Sequence, residues 1–213
     1  MTKISDSTVS RLSHYYRVLE EVAAEGGKVI SSHLLAEREG ITSAQVRKDL
    51  SYFGSFGRRG LGYSVEHLRG QIRAILGLDR RWRVAVVGAG HIGLALLAYR
   101  GFAAQGFDVV AVFDADAARI GREEGGLVVR DIAQLSAADA IDIGVIATPL
   151  RAAQEVADAL VAAGVRGILN FAPRKLRVPP EIWVRTVDMT TEFESLSFVL
   201  SQPNATRRRR AAG

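Results

Sequence analysis

Apolar residues in the first third of the chain recur at spacings of three and four. In "SDSTVSRLSHYYRVLEEVAAEGG" (residues 5–27), Val9, Leu12, Tyr15 or Tyr16, Leu19 and Val22 share a helical face, and Gly26 with Gly27 ends the run. "SSHLLAEREG" reads as a short helix capped by Ser31 or Ser32 and closed by Gly40. "ITSAQVRKDLSYFG" starts at a Thr42 or Ser43 cap and ends at Gly54. Two short helices joined by a turn, the second with a polar cap, form a helix-turn-helix pattern. The glycine-rich "SFGRRGLGYSVEHL", with Tyr63 and Val65, predicts a tight two-strand hairpin, or wing. "VEHLRGQIRAILGL" is a further amphipathic helix and "DRRW" a linker. From Arg83 the period shortens. "RVAVVG", "DVVAVFD", "LVVR", "IDIGVIA", "GILNF" and "WVRTVD" read as strands, separated by Ala-rich helices such as "HIGLALLAYRGFAAQ" and "LRAAQEVADALVAAG". That alternation predicts a parallel sheet of Rossmann type with helices on both faces. A last helix, "TTEFESLSFVLSQ", carries Phe193, Leu196, Phe198 and Leu200, an apolar stripe that a partner subunit or the N-terminal domain would cover.

The predicted fold is α/β with an N-terminal winged helix-turn-helix. Its parts are a DNA-binding domain at 1–79, a Rossmann domain at 80–188, a dimerisation helix at 189–203 and a basic tail at 204–213. Charge follows the same division. Residues 1–82 carry 13 Lys/Arg against 9 Asp/Glu, residues 83–200 carry 11 against 14, and the tail adds four arginines at 207–210. Positive ends around a slightly acidic middle suit a nucleic-acid-binding head on a ligand-binding body. The tail reads as solvated, with phosphate contact as the alternative. With no cysteine, no apolar run near bilayer length and no secretory pattern at the N-terminus, the expectation is a cytoplasmic protein without a membrane segment.

Gly88, Gly90 and Gly93 form G-x-G-x-x-G between an apolar strand and a helix. Gly88 allows the tight turn, Gly90 the approach of a pyrophosphate, and Gly93 close packing of helix on strand. The helix N-terminus favours the phosphate charge. Asp114 ends the next strand, 21 residues after Gly93, where an acid accepts from adenosine ribose hydroxyls and repels a 2′-phosphate. The candidate cofactor is therefore NAD, as NAD+ and NADH. Its site comprises Gly88, Ala89, Gly90, His91, Ile92, Gly93 and Asp114, with Thr148, Pro149, Asn170 and Phe171 after later strands. A plain structural turn or a coenzyme A site is the alternative. No histidine falls late in the α/β part, and the sheet uses the chain that a substrate domain would need, so no catalytic and no metal-binding residue is assigned. In the third helix Gln45, Arg47, Lys48 and Ser51 face outward while Val46, Leu50 and Phe53 pack inward. Arg pairs with guanine and Gln with adenine in a major groove. Arg58 and Arg59 on the wing reach phosphates or a narrow minor groove. The alternative is a small helical oligomerisation domain with a basic face.

Together, "QVRKDLSYFGSFGRRGLGY", "VVGAGHIG" followed by "FD", "AAGVRGILNFAP" and "VDMTTEFESLSF" resemble the Rex family of redox-sensing transcriptional repressors, from about Val9 to Leu200. The resemblance implies a homodimer that exchanges its C-terminal helix, binds double-stranded operator DNA with NAD+, and releases it with NADH. It implies Arg47 and Lys48 as the main DNA contacts and Arg59 as the shared wing residue. Arg58 stands where family members often have an uncharged residue. Arg17, Tyr99 and Asp188 fall at switch positions. Read as residues alone, they are a helix-surface charge, a half-buried helix residue and a strand-end cap.

Overall fold

Polar caps at the helix starts frame the N-terminal part. The computed structural model describes residues 4–57 and 61–202, and the chain divides into two compact units, Met1–Arg80 and Arg81–Gly213. In the first, Ser5 opens α1 (Asp6–Ala24) by accepting from the Thr8 amide. Ser31 opens α2 (Ser32–Glu39), Thr42 opens α3 (Ser43–Ser51) and Ser64 opens α4 (Val65–Ile75), each by the same kind of bond. Each hydroxyl satisfies an amide that a first turn leaves without a helical partner. Gly40 ends α2 in the left-handed region, at φ 64°. The inward faces meet in one core of Leu12, Tyr15, Leu19, Leu35, Val46 and Leu68, with Ile72 also fully buried.

The wing differs from the expected hairpin. Residues 58–60, with Arg58 and Arg59, lie outside the described residues. The strand β2 (Tyr63–Ser64) pairs antiparallel with β1 (Val29–Ile30), from the loop between α1 and α2. Gly62 makes this possible: it sits at φ 77°, and a Cβ there would stand 2.6 Å from the Ile30 carbonyl oxygen. The bond partner of β2 is thus remote in sequence, where local turn chemistry carries no signal.

The second unit is a seven-stranded sheet. Its strands are β3 (Trp82–Val87), β4 (Phe107–Asp114), β5 (Glu123–Glu124), β6 (Leu127–Asp131), β7 (Ile143–Ile146), β8 (Gly167–Asn170) and β9 (Trp183–Thr186), in the order β5-β6-β4-β3-β7-β8-β9. All neighbours are parallel except β5 with β6. Ala85 and Val87 of β3 face the side of α7 (Ala153–Ala162), whereas Val84 and Val86 face that of α5 (His91–Ala98). Two features depart from the sequence reading. The short antiparallel β5 was not expected. The expected helix over 91–105 breaks at Tyr99, which is extended at ψ 98°, before α6 (Gly101–Ala104). The Tyr99 ring lies against Gly101, where a Cβ would be 2.5 Å from it, so the glycine accommodates the break. Helix α8 (Met189–Ser201) follows β9 with no buried residue.

Candidate cofactor site and nucleic-acid interface

Between β3 and β7 the strand order reverses direction, and in such sheets the crevice beyond the strand ends is where ligands bind. The glycine loop follows β3 into that crevice. Gly88 lies at φ 104°, its amide donates to the Phe113 carbonyl at 2.8 Å, and a Cβ on it would stand 2.6 Å from the Ala147 carbonyl oxygen. A Cβ on Gly93 would stand 1.8 Å from the Gly88 carbonyl oxygen. Gly90 precedes α5 without a side-chain cap, leaving the first amides of that helix to an incoming group. Ala89 and Gly93 are buried, and His91 and Ile92 are exposed.

Asp114 ends β4 beside the loop, and its carboxylate also organises that loop. Its Oδ2 accepts from the Ala89 amide at 2.7 Å and its Oδ1 from the Asp116 amide at 2.9 Å. Arg119 approaches Oδ2 at 3.4 Å and lines, with Arg122, a cavity of about 170 Å³ next to Ala89, Gly90 and His91. Sequence reasoning missed Arg119, since "ADAARIG" shows no motif that marks it. Thr148, directly after β7, has a buried Oγ1 with no hydrogen-bond partner. An orphaned hydroxyl beside a glycine cradle fits a dinucleotide well, because a polar ligand atom would satisfy it. Pro149 is exposed nearby, and Phe171, half-buried, is held at the β7 end by its amide bond to the Ile146 carbonyl.

Asn170 ends β8. It is fully buried, its amide nitrogen donates to the carbonyls of Ala172 and Arg174, and its oxygen accepts from the Ala172 amide. Its side chain shapes the turn that carries Phe171.

In the other unit, Arg47 and Lys48 are exposed on α3, whereas Val46 and Leu50 are buried and Phe53 is half-buried against the core, as expected. The Arg47 guanidinium reaches the Ser32 hydroxyl at 3.1 Å. Gln45 and Ser51 are less available than their spacing implies. Gln45 is half-buried with its Nε2 donating to Asp49 at 2.8 Å, and the Ser51 hydroxyl donates to the Lys48 carbonyl at 2.7 Å. The basic tail at 204–213 lies outside the described residues.

Comparison with known proteins decides the family. A family model described as "Putative DNA-binding protein N-terminus" matches residues 3–51, and one described as "CoA binding domain" matches 79–174. The redox-sensing transcriptional repressor Rex of Carboxydothermus hydrogenoformans is 49% identical, covering 92% of this chain and 96% of that protein. That of Syntrophomonas wolfei is 46% identical, covering 95% and 98%. The chain belongs to the Rex family of redox-sensing transcriptional repressors. RSP, a Rex-family repressor solved in complex with beta-NAD+ and operator DNA, aligns at a TM-score of 0.91 and 34% identity over 99% of both chains. The same Rex-family protein in complex with beta-NADH aligns at 0.85 and 33% identity over the whole of both chains. Membership of Rex makes the chain a transcriptional regulator and not an enzyme.

Among the switch positions that Rex resemblance implies, Arg17 is exposed on α1. Tyr99, expected half-buried within a helix, is 61% exposed at the α5–α6 break and stacks edge-on against Phe102, ring centroids 4.8 Å apart. Asp188, read on its own as a strand-end cap, lies beyond the end of β9 and caps the start of α8 by accepting from the Thr190 amide at 3.0 Å. Among the described residues no helix is long and apolar enough to cross a membrane.

Proposed function

We propose that this chain binds operator DNA as a homodimer while NAD+ occupies its Rossmann sites and leaves it when NADH replaces NAD+. Transcription then follows the cellular NADH/NAD+ ratio, in the cytoplasm where that ratio is set. The observation that carries this reading is the full-length likeness to RSP, solved with NAD+ and operator DNA and, separately, with NADH. In the reading, residues 1–79 bind DNA, 80–188 bind the cofactor and 189–203 hold the dimer. The first amides of α5 and the glycines Gly88, Gly90 and Gly93 take the pyrophosphate, flanked by Ala89, His91 and Ile92. Asp114 takes the adenosine ribose through its remaining lone pairs, and Thr148 supplies a hydroxyl.

The two cofactor forms differ by a hydride, which turns a cationic nicotinamide ring neutral. An apolar wall desolvates the cation and so favours NADH. Pro149 and Phe171 supply that wall, joined by Phe193 of α8. Helix α8 supports the dimer: Phe193 is 66% and Leu200 82% exposed in the single chain, too much apolar surface to leave in water. Exchange of α8 between subunits would cover it. A ligand shifts such a dimer only by its difference in affinity for the two arrangements. Asp188 pairing with Tyr99 in one arrangement and with Arg17 in the other would supply that difference. On DNA, Arg47 and Lys48 read or anchor from α3, with Arg58 and Arg59 on the wing.

Titrating a palindromic operator at a stated salt concentration tests this. NADH is expected to weaken binding and NAD+ to leave it intact, and equal effects would refute the sensor reading. The "CoA binding domain" match to 79–174 favours a second reading, coenzyme A as the ligand. A melting shift with coenzyme A but none with NADH would establish it in place of the first.

A further inference from the structure

Asp49 lies on α3 between the exposed Lys48 and the core residue Leu50, and no part of it is exposed. A buried carboxylate is tolerated only when its oxygens accept hydrogen bonds and a cation balances it. Helix α1 meets both demands. Arg11 donates from Nε to Oδ2 at 2.6 Å and from Nη2 to Oδ1 at 2.7 Å. The Tyr15 hydroxyl donates to Oδ2 at 2.8 Å, and the Thr8 hydroxyl to Oδ1 at 3.5 Å. From α3 itself, Gln45 Nε2 donates to Oδ1 at 2.8 Å. Thr8, Arg11 and Tyr15 stand one helical turn apart, so they line one stripe of α1. Apolar packing is non-directional and would let α3 roll on α1 at little cost. A two-pronged guanidinium–carboxylate pair fixes distance and angle together.

We propose that Asp49 is the positioning residue for operator reading. Through Arg11 and Tyr15 it sets α3 on α1, and by accepting one of the two Gln45 Nε2 hydrogens it holds that amide with Oε1 and the second N–H left to meet a base. A carboxylate only accepts, so the Gln45 nitrogen must face Asp49. So held, Gln45 keeps both groups that the two-bond pair with adenine needs, Oε1 to accept from N6 and the remaining N–H to donate to N7. The inference rests on the proposed function in one respect, that α3 enters a DNA groove.

The test uses the full-length protein with an operator duplex and an unrelated duplex at one salt concentration. Arg11→Met with Asp49→Asn removes both charges together, leaving no unpaired buried ion. Its melting temperature and NADH affinity are expected to stay close to wild type, while the operator-to-unrelated affinity ratio falls about tenfold. An unchanged ratio, or an equal fall on both duplexes, would overturn the positioning role. Should that variant not fold, Tyr15→Phe removes one donor and keeps the ring, and about a threefold fall in the same ratio is expected. No fall would overturn the role equally. For the amide, operators carrying 7-deazaadenine at single positions are compared between wild type and Gln45→Met. A position that penalises only the wild type is expected, because there the remaining Gln45 N–H donates to N7. Equal responses at every position would overturn its assigned orientation. If the wild type does not prefer operator over unrelated DNA, the proposed function itself fails and takes this inference with it.

Discussion

A methyl group added at Gly93 would meet the Gly88 carbonyl oxygen at 1.8 Å, whereas one at Gly90 would meet only the far end of Arg119, at 3.3 Å. The two substitutions should therefore separate folding from binding. Gly93→Ala is expected to cost about 1–3 kcal/mol, since overpacking displaces backbone. Gly90→Ala should melt with the wild type yet lose NADH affinity by about tenfold, because the proposed function routes the pyrophosphate over this position. Melting curves and NADH titration on both variants check this. Asp114 anchors the Ala89 amide, and in the proposed function it also accepts from the adenosine ribose. Asp114→Ala is expected to weaken NADH binding and to narrow the gap between NADH and NADPH, measured by parallel titrations. Sequence spacing placed Gly88 after β3, Gly93 in the first turn of α5 and Asp114 at the end of β4, because strand, turn and helix start are local patterns. It did not show that Asn170 and Gln45 also make hydrogen bonds within the fold, since a polar residue beside a site looks the same whether its bonds point outward or back into the fold.

The α1–α3 contact carries a pH dependence of its own. Burial opposes ionisation of Asp49, but hydrogen bonds from Arg11, Tyr15 and Gln45, with the Arg11 charge, outweigh it and hold the carboxyl below the usual range. The Asp49 partner raises Arg11, and burial followed by Asp49 raises the Tyr15 hydroxyl, so only Asp49 titrates on the acid side. A depressed carboxyl contributes stability that is complete above its unfolded value of about 3.9 and is lost as pH falls through its lower folded value. Denaturant unfolding of the wild type should thus weaken below about pH 4 more steeply than that of Arg11→Met with Asp49→Asn. Equal slopes would show that the pair adds nothing on folding. Helix starts were legible at Ser31 and Thr42 because capping is a local bond. The α5–α6 break and the pairing of β2 with β1 were not, since both depend on residues that meet only after folding.

Helix α8 presents Phe193, Leu196, Phe198 and Leu200 to solvent in the single chain, and Ile92 and Tyr99 add apolar surface on and after α5. If α8 is the dimer element, Phe193→Glu with Phe198→Glu should halve the sedimenting mass and abolish tight operator binding. The N-terminal unit should keep its own fold, since its core cluster draws on residues of that unit, from Leu12 to Leu78. A variant that stays dimeric would move the interface elsewhere. On the wild type, the logarithm of operator affinity should fall linearly with the logarithm of salt, because phosphate contacts release counterions. Arg47→Ala should reduce that slope if its contact is a phosphate and relax one base preference if it reads a guanine.

By itself the sequence determined the order of elements, the glycine loop, the acid that ends β4 and the family. Helical and strand periods, caps and turns are local patterns, and a long ordered set of motifs survives without coordinates. Tertiary structure alone decided how polar groups are spent. It turned Asn170 inward, tied Gln45 to Asp49, left Thr148 Oγ1 unsatisfied and gave β2 its partner in β1. Asn170 and Gln45 bond residues only two to four positions away, yet which bonds a polar side chain makes depends on what the core packs around it. Asp49 and β2 meet partners tens of positions away, and no spacing along the chain encodes that meeting.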